Sequence, residues 1–349
     1  MRFSPVASQG VLPRPWPLLA FAKILEIEGG LCCLFASFVL ELLEDEHKCR
    51  PMEGGLSDFH YGGQAVIEGV MMRGRKSMAV AVRDPSGHII LHAEPLSGRI
   101  RDGVWQKVPF VRGLVMLWDT LVLGMRTLMY SANVALSEED VELSTPAILG
   151  TLFFSLAVGI GLFFVLPLVI VGFVDRFITS DIVSNLLEGL VRLSVLLSYL
   201  ALIGLLPDVR RVFAYHGAEH KTIDAFESGA SLDAKGVSSY STAHARCGTS
   251  FLLVVVVISV VLFAFLGRPP MVWRIISRIL LVPVIAAISY ELIRFSADHR
   301  GNPLVRAFIM PSLALQRLTT REPDERMLEV AIAALEPVLA ADGISDIEG

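Results

Sequence analysis

The chain has 349 residues, 53% of them hydrophobic and 19% charged, with a mean hydropathy of +0.60 and a net charge of −5. That balance excludes an ordinary soluble domain and leaves no basic block long enough for nucleic acid. Cys32, Cys33, Cys49 and Cys247 do not make the spaced set of a secreted disulfide scaffold, and they suit a reducing compartment.

Residues 1–59 read as an N-terminal extension. Its apolar run is broken by Lys23, Glu26 and Glu28 and lacks a small-residue cleavage site, so it makes a poor signal peptide. "LCCLFASFVLELL" is too short and too quickly acidic to span a bilayer, and Met52 is a candidate internal start. No function is assigned to this stretch. Residues 60–107 read as a small β-containing cytoplasmic unit. In it "SMAVAVR" alternates, "DPSG" turns and "HIILHAE" returns, which is a hairpin. Gly62, Gly63 and Gln64 match the peptidyl-transfer tripeptide of release factors, but nothing around them does, and they are read as coincidence.

Residues 108–133 are apolar, but Arg112, Asp119 and Arg126 recur every seven residues and share one helical face. This predicts an amphipathic helix, interfacial or re-entrant. Four apolar spans are then expected within residues 147–293: Ala147–Val174, Ile182–Leu206, Thr249–Gly267 and Met271–Ile293. The fold class is thus mainly α, a multi-pass helical membrane protein with a small β-hairpin unit in front. The 207–248 loop carries Arg210, Arg211, Lys221, Lys235 and Arg246, whereas the connections on the other side carry only Arg176 and Arg268. The positive-inside rule therefore puts this loop and both termini in the cytoplasm, at the inner membrane. Arg274 and Arg278 stand against that orientation. Residues 294–349 form the C-terminal tail. Pro323 and Asp324 suit a helix start, and Met327, Leu328, Ala331, Leu335 and Val338 make an apolar stripe behind them.

The chemistry concentrates in the long loop. Residues 207–228 predict a helix closed by Gly229. On it His216 and His220 are one turn apart and share a face, so both imidazoles can reach one divalent ion, zinc being the natural case. Glu219 sits on the neighbouring edge as a general-base candidate. His-x-x-Glu-His is the inverted zinc-protease signature, although the downstream ligands of that class are not evident. "HARCGTS" supplies His244 and Cys247 as third ligands, with Asp224 and Glu227 as weaker ones. The bland alternative is a polar face on an exposed helix, with His–Glu hydrogen bonds and no ion, or histidines at a membrane surface in structural contact with backbone carbonyls. Within the second span, Glu188 and Arg192 are four residues apart. They are an intrahelical pair or mark a polar pathway, since ionisable groups in a bilayer pair or line a cavity.

Four stretches, "YGGQAVIEGVMMRG", "FAYHGAEHKTI", "HARCGTSF" and "LQRLTTREPDERMLEVAI", closely resemble the YqhQ-like bacterial membrane proteins, the family known as domain of unknown function 1385. The resemblance runs over about residues 60–340 and marks His216, Glu219, His220, His244 and Cys247 as the polar cluster of that family. It implies a metal-dependent enzyme of unestablished reaction. Ala245 departs from the proline expected there.

Two functions follow as expectations. The first is a membrane-embedded metal-dependent enzyme, a hydrolase, in which His216 and His220 with Cys247 or His244 bind the ion and Glu219 is the base. The second is a non-enzymatic scaffold, partnered by the lipid bilayer and other membrane proteins, that assists their insertion, assembly or transport. A small-solute transporter is a weaker third, because the spans show no internal repeat.

Overall fold

Alternation along the strands decides the first part of the fold. The computed structural model describes residues 59, 61–96, 104–137, 145–244, 247–299 and 302–344; the extension before residue 59, and Ala245, lie outside them. Four strands, β1 (Gly62–Val66), β2 (Gly69–Arg73), β3 (Ser77–Arg83) and β4 (Ile89–Pro95), pair antiparallel in sequence order. β3 and β4 are the expected hairpin: the Gly87 N–H donates to the Asp84 carbonyl, and Gly87 takes φ 93°. β1 and β2 form a second hairpin whose tip places Glu68 at φ 52°.

Both faces of this sheet are covered. Val70, Met72, Ala79 and Ala81 point one way, into the main core, and Met71, Met78, Val80 and Val82 point the other. The second face meets Leu123 of α1 (Val111–Ala135). The polar stripe of α1 splits accordingly. Asp119 pairs with Arg73 of β2, Arg112 grips Glu291 through Nε at 2.7 Å, and Arg126 is exposed. Gly124 lies against the Gln64 side chain, where a Cβ would collide.

Helices dominate the rest. α2 (Thr145–Ile160) passes through a π-helical turn, Gly161–Val165, into α3 (Leu166–Val174). α4 (Asp181–Ile203) starts on a Ser180 cap, and α5 (Pro207–Glu227) ends with Gly229 at φ 68°. The short α6 (Ala234–Ser238) leads to α7 (Thr249–Phe265), α8 (Met271–Leu280), α9 (Val282–Asp298), α10 (Pro303–Thr319) and α11 (Glu325–Asp342).

Of the four expected spans, Leu149–Phe177 and Asp181–Ile203 are long and apolar enough to cross a bilayer. α8 and α9 qualify as a third only if taken as one span bent by 43°. Pro283 explains the bend, because it has no N–H for the Ile279 carbonyl and its ring crowds that turn. α7 has 17 residues, or about 26 Å at ~1.5 Å per residue, shorter than a hydrocarbon core of about 30 Å. Phe153, Phe154, Leu156 and Phe173 present their side chains outward from α2 and α3. Such a continuous apolar exterior suits lipid rather than water.

α11 is not a free tail. Asp324 caps it by accepting the Met327 N–H at 2.8 Å, and all five stripe residues are buried. It lies across β2, β3 and α5, so the sheet sits between α1 and the α5–α11 pair. Tyr61 closes one end by donating to Asp342 Oδ2 at 3.1 Å. Burial, then that carboxylate, pushes its phenol pKa up to about 12.

Candidate metal centre on the central helix

α5 is not an exposed helix with a wet face. Glu219, His220, Lys221 and Thr222 are all buried, and His216 is nearly so. This disposes of the bland alternative in its exposed form, since buried polar groups need specific partners.

For the two histidines those partners are backbone carbonyls, the contacts the structural alternative also allows. His216 Nδ1 lies 2.8 Å from the Thr319 carbonyl, and His220 Nδ1 lies 2.6 Å from the Thr242 carbonyl. A carbonyl oxygen only accepts, so each Nδ1 carries the proton and each Nε2 presents a lone pair. His216 Nε2 faces Cys247 Sγ at 3.2 Å, and the two imidazole centroids are 4.4 Å apart. The candidate ligand atoms of His216, His220 and Cys247 all lie within 4.8 Å of one another. A tetrahedral ion with bonds of about 2.0 Å to nitrogen and about 2.3 Å to sulfur would put these ligand atoms about 3.3–3.5 Å apart, so the set needs at most about 1.5 Å of closure. One further position stays open. The donor set is nitrogen, nitrogen and sulfur, which favours zinc over magnesium or calcium.

Cys247 is held by its neighbours. The Thr249 N–H donates to Sγ at 3.4 Å, and Thr249 Oγ1 lies 3.1 Å from it. The turn before it is pinned by Gln316 of α10. Its Oε1 accepts the His244 N–H at 2.8 Å, and its Nε2 donates to the His244 carbonyl at 2.9 Å and to Ser250 Oγ at 3.2 Å. His244 packs its ring 5.6 Å from that of His220 but is not one of the trio. Its Nε2 is 3.4 Å from Asp224 Oδ1, and it groups with Asp224 and Glu227. Of the two candidate third ligands, the geometry thus joins Cys247, not His244, to His216 and His220.

Glu219 lies beside the trio, with Oε2 4.0 Å from His216 Nε2. Burial raises its pKa; a positive charge on His216, present only when that ring is doubly protonated, and a hydrogen bond from the Gly63 N–H oppose that in part. Gly63 has a structural place here that owes nothing to the release-factor tripeptide. Its Cα packs where a Cβ would meet the Met71 carbonyl and come within 3.0 Å of Glu219 Cγ. Gly63, Thr242, Gln316 and Thr319 are the site residues that sequence reasoning missed. Gln316 and Thr319 stood in a family-like stretch, three apart on one helix face, and that spacing was the available signal.

Glu188 and Arg192 lie elsewhere, within α4, and are more than an intrahelical pair. Glu188 accepts from Arg192 at 2.7 Å, Arg274 at 3.0 Å and Arg278 at 3.1 Å, all four residues being buried. Arg274 also reaches Asp175 at 2.7 Å. The two arginines that opposed the expected orientation are thus internal partners of carboxylates, not loop charges. Arg192 Nε donates to the Phe163 carbonyl at 3.1 Å. That carbonyl would bond residue 167 in an α-helix, but Pro167 has no N–H, which accounts for both the π-helical turn and the arginine.

Fold and site together define a class: a helical, bilayer-compatible protein carrying a partly buried His–His–Cys cluster next to a small antiparallel sheet. The family model described as "Protein of unknown function (DUF1385)" matches residues 108–341, and the chain belongs to that family. It is 29% identical over 301 residues to the Bacillus subtilis (strain 168) protein named "Uncharacterized protein YqhQ", covering 82% of this chain and 94% of the relative. No solved structure matches the chain.

Proposed function

We propose that this protein is a membrane-embedded metal-dependent enzyme, a hydrolase by class, with His216, His220 and Cys247 holding one divalent ion. The observation that carries the reading is the pair of Nδ1–carbonyl contacts, which turn the lone pairs of two buried imidazoles away from the backbone and bring His216 Nε2 against Cys247 Sγ. Histidine ligands are oriented in this way by an outer partner on the second ring nitrogen. An ion of the zinc kind, when bound, supplies Lewis acidity at the open position. Glu219 is the proton carrier: burial raises the pKa of its carboxyl, which makes it a stronger base than an exposed one. The Gly63 N–H holds that carboxylate in place.

In the same reading α2–α3, α4, α7 and the bent α8–α9 unit sit in the bilayer, in the inner membrane. The basic residues of the 207–248 loop support a cytoplasmic site and cytoplasmic termini. Metal analysis of the purified protein tests the centre. Close to one equivalent of zinc-class metal is expected in the wild type, and less than a tenth of that in His216→Ala and His220→Ala. Wild-type protein that purifies without stoichiometric metal, and takes none up, overturns the reading.

The scaffold reading has one observation in its favour. α1 leaves Trp118, Leu121 and Met125 exposed on a single element. In-cell crosslinking from Trp118 that recovers no membrane protein would count against it.

A further inference from the structure

A second site lies on the opposite face of α5. Pro207, Arg210, Arg211 and Ala214 follow the spacing of one helical face, about half a turn round from His216 and His220. With Leu205, Arg321 and Glu322 they line a shallow cleft of about 510 Å³. Its charges do not cancel. Arg211 is taken by Glu68 at 2.6 and 2.5 Å, and Glu322 by Lys221 at 2.5 Å. Among the described residues the hydrogen bonds of the Arg321 guanidinium go to the carbonyls of Arg317 and Thr320. Arg210 is exposed and has no ion pair or side-chain hydrogen bond among the described residues. Two guanidiniums therefore face the cleft without a carboxylate.

The cleft also has an apolar lip. Leu205 is 73% exposed and Leu206 54%, directly after α4, one of the two helices fit to cross a bilayer. Leu206 is the N-cap of α5 and offers no side-chain cap, so the first-turn N–H groups add a positive end to the same place. Arginine forks, a helix start and exposed leucines at the end of a span match a phosphate with acyl chains attached.

We infer that this cleft binds the phosphate of an anionic phospholipid, with Arg210 and Arg321 as its main contacts. Such a lipid bears on the metal centre through one short link. The Arg321 N–H donates to the Phe213 carbonyl at 2.9 Å, and the Arg321 backbone crosses Gly217, where a Cβ would collide. Two residues earlier, the Thr319 carbonyl orients His216. A lipid on Arg321 thereby fixes the segment that fixes the ring. The inference rests on α4 lying in the bilayer and not on the metal.

The test is native mass spectrometry of the full chain in a neutral detergent, titrated with dioleoylphosphatidylglycerol or dioleoylphosphatidylcholine. The anionic lipid should be retained over the zwitterionic one. Arg210→Gln and Arg321→Gln should each weaken its retention about fivefold, with Lys235→Gln unchanged as a control. Arg210 is exposed, so its variant tests the site without disturbing the fold. Equal retention of both lipids, or unaltered retention in both arginine variants, overturns the inference. Displacement of the lipid by inorganic phosphate at equal concentration assigns the cleft to free phosphate and overturns the lipid as its source. Wild-type chain recovered from the soluble fraction of cells, rather than from membranes, would instead remove the span on which the site depends.

Discussion

A histidine has two ring nitrogens, and the partner of one decides what the other can do. At His216 and His220 the partner is a main-chain oxygen, which side-chain substitution cannot remove. The sulfur is the replaceable member. Cys247→Ser should leave the fold intact and weaken zinc affinity at least about tenfold, read by competition with a chelating dye, because a neutral hydroxyl is a much poorer ligand than a thiolate. Gln316 supports the site at one remove. Gln316→Leu keeps the volume but strips the buried His244 N–H and carbonyl of their partner, which should cost about 1–3 kcal/mol in thermal unfolding and lower metal retention as well. The grouping of the candidate ligands was legible, since helical spacing alone puts His216 and His220 on one face and the nearby turn offers Cys247. What fixes them was not. Carbonyl oxygens leave no mark in a sequence, and a glycine such as Gly63 is visible as a close approach only when the opposing chain is in view.

Buried charge governs the helices. Three guanidiniums around the Glu188 carboxylate tie α4 to α8, and Arg278 also stacks on Phe263 of α7 at 4.4 Å. Glu188→Gln leaves three buried cations with far less compensation. It should destabilise the protein by about 3–5 kcal/mol, measured by thermal unfolding in detergent. At the other end of the molecule, Tyr61 joins β1 to α11. Its phenol pKa is higher folded, at about 12, than the ordinary 10, so the folded state holds the proton longer. That stabilisation is complete below pH ~10 and is lost as pH rises through about 12. Tyr61→Phe should be less stable at neutral pH by about 1 kcal/mol and lose the part of the alkaline slope that belongs to this group. Among these elements the apolar helices were plain from composition, whereas the break at Pro283 and the π-helical turn before Pro167 were hidden inside runs that read as uniform. β1 and β2 were missed because Gly62, Gly63 and Gly69 dilute their alternation. They are strands by virtue of what covers them, not of their own propensity.

The molecule is assembled from the two ends of its sequence. The first strands form one layer, α11 covers one face of it, and the candidate centre lies between them and α10. Removing everything after Thr320 should therefore abolish accumulation of the protein, not merely shorten it. It would uncover Val70, Met72, Ala79 and Ala81 together, and immunoblotting of membranes gives the readout. Those residues mark how far local pattern reaches: it tells that a strand has an apolar face, and does not tell which distant helix will cover it. The timing of synthesis makes the same point in another way. The sheet has left the ribosome when residue 95 has, and α5 follows by residue 227, but α11, which lies over β2 and β3, begins only at residue 325. At roughly 5–20 residues per second, that interval is on the order of 10–50 s. Until α11 emerges the newborn chain carries a sheet whose apolar side is only partly covered. Its dependence on chaperones should accordingly be greatest early in translation and end abruptly with the last helix.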